Sequence, residues 1–522
     1  MDVWLVTTGS SDVQLINDED WSDWYQAIKK SLLRVPFKPT RAINDSGEPY
    51  RLPARVLGIA YDLLPDEVQP ILMLPLLQDF TQELKAREVV IDQIIVLMSD
   101  QENIFTEADR ETKRCPYWQD TCQLYPILEG YFHQQFPDAI VTPLILKPQL
   151  SERGLDDWDA VLGLVQQEIR SLEFKTEPQA IYVSHQAGTP AISSAVQFSS
   201  LARFGDRTRF LVSSEQSIRP SEILPSSSYL KGIRLQEART LLNRHDYTGV
   251  QALIEPYLKD DHTRILLKAA IQWNFAKFDE FVNELQKLSD QELAQELKER
   301  SQPWWWTAYE AAYLAWIRLE QGNTVEAFFH SFRSIEGAFS NWGKKVFYEY
   351  IEIENDRAFL QPSILESPND YFKDAKFKQD GTTPKNSLAK LKQKLLTLAE
   401  KLKNIGEKDQ KPKGILLFGE DLYILFRSQK LDYELSGLNR FWNSEDGIGE
   451  KRNKNFHQLQ GLSQAELLKD WEVDDPIGWE KRILTYLNFI AKADLPKEFE
   501  SLEEASLMAI VHQKLKDAIT EL

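Results

Sequence analysis

Up to about Ser214 the chain alternates between short apolar runs and amphipathic stretches, and this alternation limits the fold more than any other feature. "VWLVT" (Val3–Thr7), "VVIDQIIVLMSD" (Val89–Asp100), "AIVTPLIL" (Ala139–Leu146) and "TRFLVSS" (Thr208–Ser214) read as strands. "DEDWSDWYQAIKKSLL" (Asp18–Leu33) carries Trp21, Trp24, Tyr25, Ile28 and Leu32 at helical spacing, and "DDWDAVLGLVQQEIRSL" (Asp156–Leu172) is amphipathic. "AIYVSHQAGTPAISSAVQFSSLARFG" (Ala180–Gly205) reads as strand, tight loop and helix. Strands alternating with helices of this length predict a parallel, doubly wound α/β sheet.

Such sheets bind ligands beyond the carboxyl ends of their strands. Here those ends are polar and small: "TTGSS" (Thr7–Ser11), "SDQ" (Ser99–Gln101) and "SHQAGTP" (Ser184–Pro190). None is a G-x-G-x-x-G or G-x-x-x-x-G-K-[ST] loop, which disfavours the familiar dinucleotide and nucleoside-triphosphate sites. In the last loop Gly188 permits close backbone approach, Thr189 offers a hydroxyl, and Pro190 opens a helix whose N–H groups face a ligand. Two readings stand at this point: a seat for a phosphate or ribose hydroxyl, or a plain strand–helix turn capped by Thr189.

The stretch "SSEQSIRPSEILPSSS" (Ser213–Ser228) has the composition of a linker. Beyond it the pattern is helical, first as a pair in "EARTLLNRHDYTGVQALIEPYL" (Glu237–Leu258), then as long helices from Trp304 onward. Trp304–Trp306 point different ways on a helix and are read as core. The expected organisation is residues 1–220 as an α/β domain, which the resemblance given below makes a ligand-sensing one, 221–300 as a helical linker and 301–522 as an all-helical domain. With 522 residues, 42% hydrophobic and 11% aromatic, the chain has ample material for several cores.

The formal net charge of −19 argues against a protein that wraps duplex DNA, while leaving room for a locally basic pocket. Cys115 and Cys122 supply neither a disulfide framework nor a zinc site and are expected to be reduced thiols. The amino terminus reads as a strand and a turn rather than a signal peptide, and "IIVLM" (Ile94–Met98) is too short to span a bilayer.

The stretch "GEKRNKNFHQL" (Gly449–Leu459) breaks the otherwise acidic pattern. On a helix Asn453 and His457 share a face, and the long Arg452 side chain can curl back from about 100° round the axis. An asparagine can fix an imidazole tautomer, a guanidinium can grip a phosphate through two parallel hydrogen bonds, and a histidine both gives and takes a proton near neutral pH. Those parts suit metal-independent RNA cleavage in which the substrate's own 2′-hydroxyl attacks and a 2′,3′-cyclic phosphate is left. Lys451 and Lys454 would make the pocket basic for a single-stranded RNA substrate. The spacing alone also fits a solvated helix start. The looser pair Arg239 and His245 is read as structural.

Taken in their order along one chain, these features resemble the CRISPR-associated CARF–HEPN ribonucleases of type III defence systems. "SHQAGTPAISSA" after a buried strand is similar to a CARF domain and its "GTP"-type loop. "RNKNFH" is similar to the R-x4-6-H motif of HEPN domains, with the frequent Asn after the Arg, and "RLEQGNTVEAFFHSFRSIEG" (Arg318–Gly337) is similar to early HEPN helices. The resemblance covers most of the chain, apart from Pro36–Pro53 and Ser367–Lys385.

It implies a Rossmann-like CARF domain, a helical linker and an all-helical HEPN domain. It further implies a cytoplasmic homodimeric endoribonuclease with no cofactor and no metal, switched on by cyclic oligoadenylate of four or six adenylates. Carried over by position, Arg452, Asn453 and His457 are the catalytic candidates. Thr8, Gly9, Ser10, Gln101, Gly188, Thr189 and Pro190 are the candidate activator contacts. His185 is read equally as an activator contact or a satisfied structural histidine. Neither membrane association nor stable DNA binding is expected. The alternatives are a cyclic-oligoadenylate ring nuclease and a non-catalytic nucleotide-sensing regulator.

Overall fold

The computed structural model describes residues 1–16, 18–30, 52–64, 72–149, 154–213, 221–355, 357–369, 371–372, 385–406, 414–430, 432–433, 437–443, 448 and 461–522. The chain divides into two compact units, Met1–Ile233 and Arg234–Leu522.

The first unit is built on strands β1 (Asp2–Thr7), β4 (Gln93–Ser99), β5 (Ile140–Leu146), β6 (Ala180–Ser184), β7 (Thr208–Ser213) and β8 (Ser221–Pro225); β2 (Gln14–Leu15) and β3 (Leu72–Met73) form a separate two-stranded ladder. The six strands lie in the order β5-β4-β1-β6-β7-β8. The first five are parallel and β8 runs antiparallel to β7.

Side chains on a strand alternate between faces, and both faces of this sheet are apolar. Val3, Leu5, Ile95, Leu97, Ile181 and Val183 pack with the helices Trp158–Ser171 and Pro190–Phe204. Trp4, Val6, Ile94, Val96 and Met98 face the other way, against Asp18–Ile28, Ala54–Asp62, Pro75–Ala86 and Tyr125–Gln135. This is the doubly wound sheet predicted from the sequence.

Two details differ from expectation. The second predicted strand starts at Gln93 instead of Val89, and Val90 stands exposed ahead of it. The Ser/Pro-rich stretch read as a linker contains β8. A sheet edge tolerates that composition, because a proline there withholds no hydrogen bond from a neighbour on its open side.

Among the described residues the second unit is helical apart from a three-stranded sheet of β9 (Ile351–Glu354), β10 (Arg357–Leu360) and β11 (Ile415–Leu416), which the sequence reading did not contain. One hydrophobic core runs from Leu235 to Ile519 and takes in the helices between 234 and 300. Its central pair is Trp306–Glu320 and Thr324–Val346. Trp305 and Trp306 are buried, as a core reading requires, whereas Trp304 sits at the rim with its indole N–H 3.0 Å from Asp494. Among the described residues no helix is long and apolar enough to cross a membrane.

Candidate functional site

The carboxyl ends of β1, β4 and β6 open into a cleft of about 430 Å³ in the first unit. Thr8, Gly9, Ser10, Gln101, Gly188 and Thr189 line it, so the structure brings together six residues singled out in three separate loops. Pro190, the first residue of its helix, is not on the lining. His185 is not either: its Nδ1 lies 3.1 Å from Ser193 Oγ and its ring packs edge-on against Phe210. Burial pushes the His185 imidazole below its ordinary range.

The loops after β1 and β6 meet at two glycines. A Cβ on Gly9 would stand 2.8 Å from the Gly188 nitrogen, inside contact distance, so only glycine lets the two backbones approach this closely. Gly188 has φ +91°, a conformation that side-chain-bearing residues avoid. Behind Gly9, Asp12 accepts a hydrogen bond from the Gly9 N–H at 2.7 Å. Burial nevertheless raises its carboxyl to about 7, because one backbone donor does not offset the loss of water.

The next layer is a network of buried polar side chains. The Thr8 hydroxyl lies 2.8 Å from the Leu97 carbonyl and 2.7 Å from the Thr121 hydroxyl, and the Ser99 N–H donates to Thr121 Oγ1 at 3.1 Å. Gln101 is held at both ends of its amide: Nε2 donates to Asp120 at 2.9 Å, and Oε1 accepts from the Leu155 N–H at 2.9 Å. Asp120 also accepts from the Gln101 N–H and from Arg55. Arg55 is the hub, 2.7 Å from Asp100 and 3.1 Å from Asp120, with its Nε donating to the Tyr117 carbonyl and its guanidinium 3.9 Å from the Tyr117 ring centroid.

Burial acts to raise both carboxyls. At Asp100 the hydrogen bonds from Arg55 and Lys147 win and hold it below the usual carboxylate range, while Asp120, the more buried of the two, stays raised. Thr189 is also occupied: its hydroxyl caps the helix by accepting from the Ile192 N–H and donates to the Leu155 carbonyl at 2.8 Å. The capping reading therefore holds for this side chain, and Gln101 and Thr189 shape the cleft from within the fold.

No protein-family model matches the chain, and no curated protein does. Solved structures do match it, one of them over 99% of both chains. This is Enterococcus italicus Csm6 bound to cyclic hexa-2′-fluoro-hexa-dAMP, to which the chain is similar with 12% identity, 99% of each chain covered and a TM-score of 0.49.

Sequence reasoning missed the far wall of the cleft, formed by Arg114, Pro116, Gln119, Asp120 and Thr121 between β4 and the helix Tyr125–Gln135, together with Leu155 and Asp156. "RCPYWQDT" has no motif of its own, and only the closing of the sheet places it opposite the glycine loops. Arg452, Asn453 and His457, with Lys451 and Lys454, lie outside the described residues. Among the described residues no group of three or more His, Cys, Asp or Glu side chains is placed to hold a metal ion.

Proposed function

We propose that this chain is a cyclic-oligoadenylate-activated endoribonuclease, with the cleft of the first unit as its sensor and the Arg452–His457 segment of the second as its cutting site. The observation that carries the reading is the convergence of Thr8, Gly9, Ser10 and Gly188 on one polar cleft at the carboxyl ends of parallel strands. Bound nucleotides favour that position, and the serines Ser10 and Ser11 with the exposed backbone of Gly188 suit ribose and phosphate.

A ring of four or six adenylates is larger than one such cleft. A two-fold pair of chains would present two clefts to one ring, and the same symmetry would bring two copies of Arg452 and His457 together. His457 acts as general acid/base, Asn453 orients its ring and Arg452 steadies the phosphate, with Lys451 and Lys454 drawing in single-stranded RNA. The 2′-hydroxyl oxygen forms the new bond to phosphorus, the 5′-oxygen leaves with a proton, and a 2′,3′-cyclic phosphate remains.

The deciding experiment incubates purified protein with labelled RNA in EDTA, with and without cyclic tetra- or hexa-adenylate. Stimulated cleavage of RNA, with an all-DNA strand of the same sequence untouched, is expected. Cleavage that requires added divalent metal, or that ignores both rings, would overturn the reading.

A further inference from the structure

The wall that faces the glycine loops carries a cation whose side chain has no partner among the described residues. Within Glu107–Gln119 the Arg110 guanidinium is engaged, donating to the Glu102 carbonyl at 2.6 Å and lying 4.3 Å from the Tyr117 ring centroid. Arg55, below it, is taken up by Asp100 and Asp120. Arg114 lines the cleft, is exposed, and makes no side-chain hydrogen bond or ion pair among the described residues. Its segment is fixed at both sides: the Trp118 indole N–H donates to the Arg110 carbonyl at 3.0 Å, and the Tyr117 carbonyl accepts from Arg55 at 2.9 Å.

A free guanidinium on a braced wall, in a protein of net charge −19, is an electrostatic target for an anion and little else. The second uncompensated charge on the lining is Asp156, also exposed and without an ion pair among the described residues. A bare phosphate would be repelled by Asp156. A nucleotide satisfies both groups, because its phosphate accepts from a guanidinium while a ribose hydroxyl or the adenine amino group donates to a carboxylate.

We propose that Arg114 is the phosphate anchor of the cleft and that Asp156 accepts a hydrogen bond from the sugar or base of the same ligand. This assignment rests on the activator reading and names the residues that would carry it. No bond is made or broken. The guanidinium offers two parallel N–H donors to a phosphodiester, a geometry that lysine cannot reproduce.

The test measures binding of labelled cyclic tetra- and hexa-adenylate to the full chain by titration at several salt concentrations. Arg114→Ala should weaken binding roughly 10- to 100-fold, the range for losing a charge-assisted hydrogen bond. It should also flatten the salt dependence, which a purely structural role would leave alone. Arg114→Lys should recover part of the affinity, and Arg114→Gln, neutral and of similar length, should behave like alanine if the smaller variant folds poorly. Unchanged affinity and salt slope in both neutral variants would overturn the Arg114 assignment while leaving the activator reading in place. A wild-type chain that binds neither ring would remove the activator reading itself, and the assignment with it.

Discussion

The two units bury polar groups in different ways. In the first, Arg55, Asp100, Gln101, Asp120, Thr8 and Thr121 bond to one another and lie beneath one cleft. In the second, Glu310 is buried and accepts from the Trp273 indole, the Ser506 hydroxyl and the Leu507 N–H without lining that cleft, and the other buried polar groups are spread through an aromatic core. His245 Nε2, His330 Nδ1 and the indole nitrogens of Trp471 and Trp479 have no hydrogen-bond partner among the described residues, and His245 stacks on His512 with ring centroids 4.2 Å apart. A satisfied buried network fixes unique positions for the groups around it, whereas isolated buried polar atoms are carried by the packing of their neighbours. Mutually bonded polar groups that converge on an open cleft therefore mark a site, and buried histidines in an aromatic core do not. His245 and His330 are structural on this ground, although a scan for titratable residues would stop at them first.

The sharpest way to break that contrast is at the hub of the network. Arg55→Ala leaves Asp100 and Asp120 without their shared cation, and removing one partner of a buried ionic cluster costs about 3–5 kcal/mol. Unfolding of the first unit, followed by protease resistance of the sheet, should come at clearly lower urea, and the cleft should lose its far wall. An Arg55→Ala protein as stable as wild type would mean that the network is ornamental and that burial alone holds the strand ends.

The next effect separates the second unit's histidines by role. His457→Ala should lower RNA cleavage by about 10²-fold or more, the usual contribution of a general acid/base, with the melting temperature unchanged. His330→Ala should do the reverse, lowering stability while each folded molecule keeps its rate. If the His457 variant unfolds and the His330 variant is folded but inactive, the two assignments must be exchanged.

Acid should act in opposite directions at the buried histidines of the second unit and at Asp12 of the first. Burial, with help from nearby cations, pulls His245 and His330 from the ordinary 6.5 to about 4, and His512 to about 3. In the native state these rings stay neutral where the unfolded chain already binds a proton. Stability is therefore full above pH 6.5 and is lost as the pH falls toward 4, by about 1 kcal/mol per histidine between pH 7 and 5.5. Asp12 has the opposite sign: with its carboxyl raised to about 7, the native state binds the proton first, so acidification from pH 7 relieves a penalty in the first unit. Hydrogen exchange at the two pH values, corrected for the intrinsic rate, should show protection falling around His245 and His512 but not around Gly9–Asp12. A uniform loss across both units would refute the distinction.

Much of this was legible before the fold was in hand, and the exceptions have physical causes. The strands of the sheet showed themselves because a strand buried on both faces must be apolar throughout, as at Val3–Val6 and Ile94–Met98. The loops after β1, β4 and β6 were found because topology alone sends ligands to those ends. Arg55, Arg114 and Asp120 were not found, since a buried ion cluster and an unpaired rim cation are produced by tertiary contacts between segments far apart in sequence. β8 was missed because an edge strand needs neither the length nor the composition of a central one. Gln101 and Thr189, expected as activator contacts, line the cleft, but a sequence does not reveal whether a polar group is free or already bonded within the protein.

Thr189 gives the finest test of that last point, and the smallest effect. Its hydroxyl makes two bonds inside the protein, one as the cap of the helix Pro190–Phe204 and one to the Leu155 carbonyl. Thr189→Val keeps the shape and removes both. Loss of an N-cap hydroxyl costs about 1 kcal/mol, so the melting temperature should drop modestly, and Thr189→Ser should restore it. Measured well below the melting temperature, binding of cyclic oligoadenylate should change far less than in Arg114→Ala, because this hydroxyl already has partners on both sides. Loss of affinity in the valine variant with no loss of stability would show the reverse, that Thr189 turns its hydroxyl to the ligand and leaves the helix uncapped when the cleft fills. The satisfied network would then be a resting arrangement that ligand binding rearranges, and the contrast between the two units would describe only the empty protein.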